Sequence, residues 1–162
     1  MSEVDLKSDF NRQLNQELRN AYLYLSMAAF FESITLPGFA HYFSVQAREE
    51  LEHAMKFYRF MVDRGWSIDL QEIPKPKTTW SSVLEAAEDF LNAEVENTKR
   101  IWRMVDSARQ AGDKAAESFL QWFVNEQVEE EKNASELLAR VKLVKDHPAG
   151  LLALDRLLAE RK

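Results

Sequence analysis

The chain contains no cysteine, which removes disulfides, thiolate metal sites, iron–sulfur clusters and cysteine nucleophiles together. Its four glycines and four prolines leave few places where a helix must stop. No apolar run approaches the ~20 residues that a membrane-spanning helix needs, so a membrane is not an expected partner. Bases are outnumbered, 21 Lys and Arg against 27 Asp and Glu, giving a formal net charge of −6. Nucleic acid is therefore a poor partner and cations are favoured ones. The start, Met1-Ser2-Glu3-Val4-Asp5, carries acids where a secretory signal would carry bases and a greasy stretch, and a cytoplasmic location is the expectation. What is present is 162 residues, 46% hydrophobic and 30% charged. That suits one folded domain over residues 1–162 rather than disorder.

The breakers divide the chain. Pro37-Gly38, Gly65, Pro74 with Pro76, Gly112, and Pro148 with Gly150 separate long stretches rich in good helix formers. The expected elements are α1 over about 5–34, α2 over about 38–65, α3 over about 82–111, α4 over about 114–144 and a short α5 over about 147–160. Ser82-x-x-Glu85 fits a capping box, Asp113 can cap α4, and Asp146 stands just before Pro148 as a start signal for α5. The α1–α2 and α3–α4 joints are tight, so each pair reads as an antiparallel hairpin. Trp66 to Ser81, at roughly 16 residues, is longer than most loops. It can run the length of a bundle as an extended crossover. Two hairpins joined by one long crossover are the ferritin-like form of the four-helix bundle, here with a short fifth helix.

Each long helix has a seam at alternating steps of three and four, the spacing that faces a bundle interior. In α1 it runs Phe10, Leu14, Glu17, Ala21, Tyr24, Ala28 and Phe31; in α2 it runs Phe39, Phe43, Gln46, Glu50, His53, Phe57 and Phe60. The α3 seam is broken by Glu94, and the α4 seam by Gln127 and Glu130. All four breaks are central, so they meet at one level whichever way each helix runs. Four glutamates, one glutamine and one histidine thus share an apolar interior. Carboxylates so placed need protons or cations, and one imidazole cannot balance four anions. Two divalent metal ions match four glutamates in charge, and oxygen ligands with one imidazole suit iron or manganese better than zinc. A Glu-x-x-His pair on any single helix reads equally well as solvated surface. Four helices agreeing in register and depth do not. The pattern is close to the di-iron carboxylate arrangement of bundle cores, except that α4 offers Gln127-x-x-Glu130 without a histidine. Its ion should be held less firmly, which suits a site that metal passes through.

The chain here resembles the non-haem ferritins of bacteria and archaea over nearly its whole length. The carriers are Asn15-Gln16-Glu17-Leu18 with Ala21-Tyr22-Leu23-Tyr24, then Glu49-Glu50-Leu51-Glu52-His53-Ala54, Glu94, and the string from Phe119 to Glu131. The resemblance implies a homo-oligomeric hollow cage of 24 subunits that oxidises Fe(II) with oxygen or peroxide at a di-iron ferroxidase centre and stores a ferric mineral. It implies Glu17, Glu50, His53 and Glu94 around the first iron with Glu50 bridging, Glu94 and Gln127 at the second, and Glu130 between the second and a third. Glu49, Glu126 and Glu129 match the third site of bacterial relatives. Tyr24 falls beside the di-iron centre, where it can bond to Glu94 or donate an electron.

The resemblance also excludes neighbours. Leu51 and Glu52 stand where bacterioferritin carries a haem-ligating methionine, so no haem is expected, and rubrerythrins need the cysteines this chain lacks. Of the two acids that line the three-fold pore in animal ferritins, one position is Glu117 but the other is Leu120. Two rival readings stay open: a di-iron oxidase or peroxidase that stores nothing, and a structural bundle whose glutamates are protonated or hold an inert cation. Tyr22, Phe30, Tyr42, Tyr58, Met61 and Trp102 lie off the seams; some must pack within the monomer, and a subunit interface is a natural home for the rest. The face Leu151, Leu154 and Leu158 of α5 must dock somewhere, on its own bundle or along a symmetry axis.

Overall fold

The computed structural model describes residues 5–162; Met1 to Val4, the acidic start, lie outside them. Among the described residues there are five helices and no strand: α1 Leu6–Ser33, α2 Pro37–Asp63, α3 Val83–Ala111, α4 Lys114–Val144 and α5 Pro148–Leu158. None of these helices is long and apolar enough to cross a membrane. The fold is the ferritin-like bundle, with α1 packed on α2, α3 packed on α4, and α1 also meeting α3.

Local signals explain the ends. Ser82 Oγ accepts from the Glu85 amide at 3.0 Å, while Glu85 Oε2 reaches back to the Ser81 amide at 2.5 Å, one residue further out than the usual box. Asp113 Oδ1 accepts from the Ala116 amide at 2.9 Å. Gly112 takes the left-handed conformation (φ 68°) that closes α3 and turns the chain into α4. Asp146 does not start α5: its carboxylate pairs with Lys145 Nζ at 3.0 Å, and His147 caps the helix without a side-chain bond. Pro148 at the first turn presets the backbone there.

The crossover is pinned along α1. Asn15 donates to the Asp69 carbonyl at 2.9 Å and accepts from the Gln71 amide at 2.9 Å, Asn11 brackets Asp69 from the other side, and Ser26 Oγ donates to the Lys77 carbonyl at 2.7 Å. Trp80 closes its far end, buried and donating to Asp89.

The core is in two apolar halves. One contains Tyr24, Phe31, Phe39, Phe43 and Phe90 and receives Leu154 and Leu158 of α5. The other contains Phe10, Leu14, Phe57, Ile101 and Phe123. A slab of buried polar groups separates them, drawn from the middles of the four long helices. The helix α5 docks on its own bundle, against α2 and α4. Of the large side chains off the seams, Tyr42 and Met61 are buried within the chain, and Phe30 is half-buried against Phe31 and Trp80. Tyr22, Tyr58 and Trp102 remain exposed.

Candidate metal centre

The slab holds Glu17, Glu50, His53, Glu94, Gln127 and Glu130, all buried. Three of their atoms are buried without any hydrogen-bond partner: Glu17 Oε2, Glu50 Oε2 and His53 Nδ1. These face one another. His53 Nδ1 lies 3.6 Å from Glu50 Oε2 and 4.0 Å from Glu17 Oε2, too far to bond and close enough to share one ion. Unpaired polar atoms this deep are costly unless a cation satisfies them. A second group, Glu50, Glu94 and Glu130, also brings one oxygen each within 4.8 Å of the others. Glu50 belongs to both.

The remaining oxygens are held in place. Tyr24 Oη donates to Glu94 Oε1 at 2.5 Å. Gln127 Nε2 donates to Glu94 Oε2 at 3.3 Å, and its own carbonyl accepts from Asn97 at 3.2 Å. Gln127 thus holds Glu94 and turns its oxygen away, rather than facing the second group as the resemblance implies. Gln13 Nε2 donates to Glu17 Oε1 at 3.0 Å and to Asn97 Oδ1 at 2.9 Å. Gln46 Nε2 donates to Glu130 Oε2 at 2.7 Å and Glu50 Oε1 at 3.3 Å. Gln13, Gln46 and Asn97 were not singled out as site residues from the sequence. The available signal was helical spacing: each lies three or four residues from a core glutamate.

The three acids implied for a third site have different surroundings. Glu126 approaches His53 Nε2 at 3.9 Å and groups with His53 and Glu130. Glu49 instead pairs with Arg161 at 2.9 Å, and Glu129 is exposed.

Burial and mutual repulsion govern protonation. Desolvation, then the Glu94 charge, pushes Glu130 up to about 9. Desolvation raises Glu94 to about 7 against the lowering effect of Tyr24, and raises Glu50 well above the carboxylate range with help from Glu17. Metal-free protein therefore holds protons that the unfolded chain releases near pH 4.5, so its stability falls as pH rises from about 4.5 to about 9. One such proton is worth on the order of 1 kcal/mol per pH unit. Glu130→Gln is expected to flatten that decline in melts of metal-stripped protein between pH 5 and 9; parallel curves for parent and variant would show that Glu130 is not the proton holder.

The sequence matches the ferritin-like domain family over residues 8–144. The chain belongs to the ferritin family. A bacterial non-heme ferritin of Staphylococcus aureus (strain USA300) is 40% identical over 131 residues, 81% of this chain and 79% of that protein. One from Staphylococcus haemolyticus is 35% identical over 99% of this chain and 97% of its own length. Among solved structures, an open pore ferritin from the hyperthermophilic archaeon Archaeoglobus fulgidus superposes with a TM-score of 0.96 at 43% identity, covering 97% of both chains. A humanized archaeal ferritin gives 0.96 at 46% identity over 100% of this chain and 99% of its own. Against this family background, the buried carboxylates and histidine are a group that could hold a metal.

Proposed function

We propose that this ferritin stores iron, and that its bundle core oxidises Fe(II) before the ferric product moves to a mineral inside a homo-oligomeric cage of 24 subunits. The observation that carries the reading is the convergence of Glu17 Oε2, Glu50 Oε2 and His53 Nδ1 as buried atoms with no partner of their own. They supply two carboxylate oxygens and one imidazole nitrogen to a first Fe(II), a donor set that iron accepts. Glu50, Glu94 and Glu130 supply oxygens to a second, with Glu50 shared between the two.

Each Fe(II) gives up one electron. The two electrons and two protons convert one oxygen molecule to hydrogen peroxide, leaving two Fe(III). The chain contributes geometry and charge: two ions held at short separation by ligands that tolerate both oxidation states. Tyr24 and Gln127 fix Glu94, so the second position keeps one carboxylate in a set direction. That position has no nitrogen ligand, and a weakly held ion is one that can leave. Glu126, grouped with His53 and Glu130, offers the next carboxylate on the way out. Exposed Tyr22, Tyr58 and Trp102 supply apolar area for subunit contacts.

The test is to size the assembly in solution and then titrate Fe(II) aerobically. A large closed oligomer with about two rapidly oxidised Fe(II) per chain, one for each of the two groups that share Glu50, is the expected result. A monomer with no rapid phase would remove the reading.

A further inference from the structure

Arg161, the penultimate residue, reaches back from the end of α5 into the edge of the metal centre. Its Nη2 donates to Glu49 Oε2 at 2.9 Å and to Gln46 Oε1 at 2.8 Å, and its Nη1 donates to the Tyr42 carbonyl at 3.0 Å. The guanidinium lies over the Tyr42 ring, 4.2 Å from its centroid, and only 16% of the side chain is exposed. His41 Nε2 meets the Arg161 carbonyl at 2.6 Å, which fastens the backbone as well. A planar fork satisfied on both arms and shielded from solvent is a firmly seated charge.

Two consequences follow. With its oxygen taken by Arg161, the Gln46 amide must present its N–H to Glu130 and Glu50. Glu49, meanwhile, has one carboxylate oxygen taken up by the Arg161 guanidinium. We propose that Arg161 is a counter-cation built into the chain, which takes Glu49 out of the metal-binding set and limits each subunit to two bound ions. This rests on the two-ion reading above. Arg161 acts through Glu49 and Gln46 and is a positioning residue.

Zn(II), which has no redox chemistry, is the probe. Metal-stripped, assembled protein is titrated calorimetrically, and bound zinc is counted by metal analysis. The parent is expected to hold about two equivalents per chain, one tight and one weaker, and Arg161→Ala about three, while Arg161→Lys, whose ammonium still pairs with Glu49, stays at two. Glu49→Gln is expected to leave the count at two, because Glu49 is not a ligand while Arg161 is seated. An Arg161→Ala protein that binds no more zinc than the parent would overturn the proposal, as would loss of an ion in Glu49→Gln. The second result decides the matter even if Arg161→Ala does not assemble. A parent that binds no tight zinc would overturn the two-ion reading itself, a separate outcome.

Discussion

Replacing Glu50 with Ala is expected to slow the rapid phase of Fe(II) oxidation by at least about 100-fold, since outer partners of metal ligands alone are worth 10–100-fold. Glu50 is the residue that both ligand groups share, so its loss empties one place in each. His53→Ala should have a similar effect by removing the only nitrogen donor of the first group. Neither change should harm folding. The metal-free core holds Glu50 against its own desolvation and the charges of Glu17 and Glu94, so deleting that carboxylate relieves repulsion as it opens a cavity. Stopped-flow absorbance after mixing with oxygenated buffer, alongside sizing of the assembly, checks both parts. An intact assembly of Glu50→Ala oxidising iron at the parent rate would show that the chemistry lies elsewhere.

Adding one methyl group at Gly38 is expected to detach α5. A Cβ built there overlaps the backbone carbonyl of Asp155, which cannot yield unless the whole helix moves. The same movement breaks the bond from the Phe39 amide to Asp155 Oδ1, now 2.9 Å. Overpacking and the loss of one buried charge-assisted bond together amount to about 3 kcal/mol. Gly38→Ala should therefore shift chemical denaturation and open the C-terminal segment to protease. Gly112→Ala, which meets no neighbour and suffers only from its left-handed backbone, should cost about 1 kcal/mol and leave α5 protected. Equal protease resistance of parent and Gly38→Ala would show that the contact is slack. Because Arg161 rides on the same segment, an undocked α5 would also free Glu49.

The architecture could be read from the chain because its signals are local. Two hairpin joints, a long Pro-containing link and seams at steps of three and four each sit within a short window, and the seams put the carboxylates of four helices at one depth. The parts that escaped reading depend on residues far apart. Arg161 is separated from Glu49 by 112 positions, and an arginine next to Lys162 looks like any solvated base. Asn97 and Gln13 are amides of a kind found on every helix surface, buried here because each finds a glutamate or another amide to bond. Tyr42 and Met61 lie off the seams, and periodicity leaves open whether they pack within the monomer or between subunits; Arg161 stacks on Tyr42, and Met61 joins the apolar half around Phe10. Gln127 was readable as a member of the cluster. Which way its amide turns was not, since that is set by Asn97 and Thr98 on another helix.

The bond between Phe39 and Asp155 has a temporal side. The helix α2 has no side-chain cap of its own at Leu36, and the carboxylate that serves its first turn belongs to the last helix of the chain. During synthesis, which proceeds from the N-terminus, the first hairpin must emerge from the ribosome with that end still open. Its closure waits for Asp155, 116 residues further along the chain, so the seam between Gly38 and Asp155 sets long after the first hairpin has emerged.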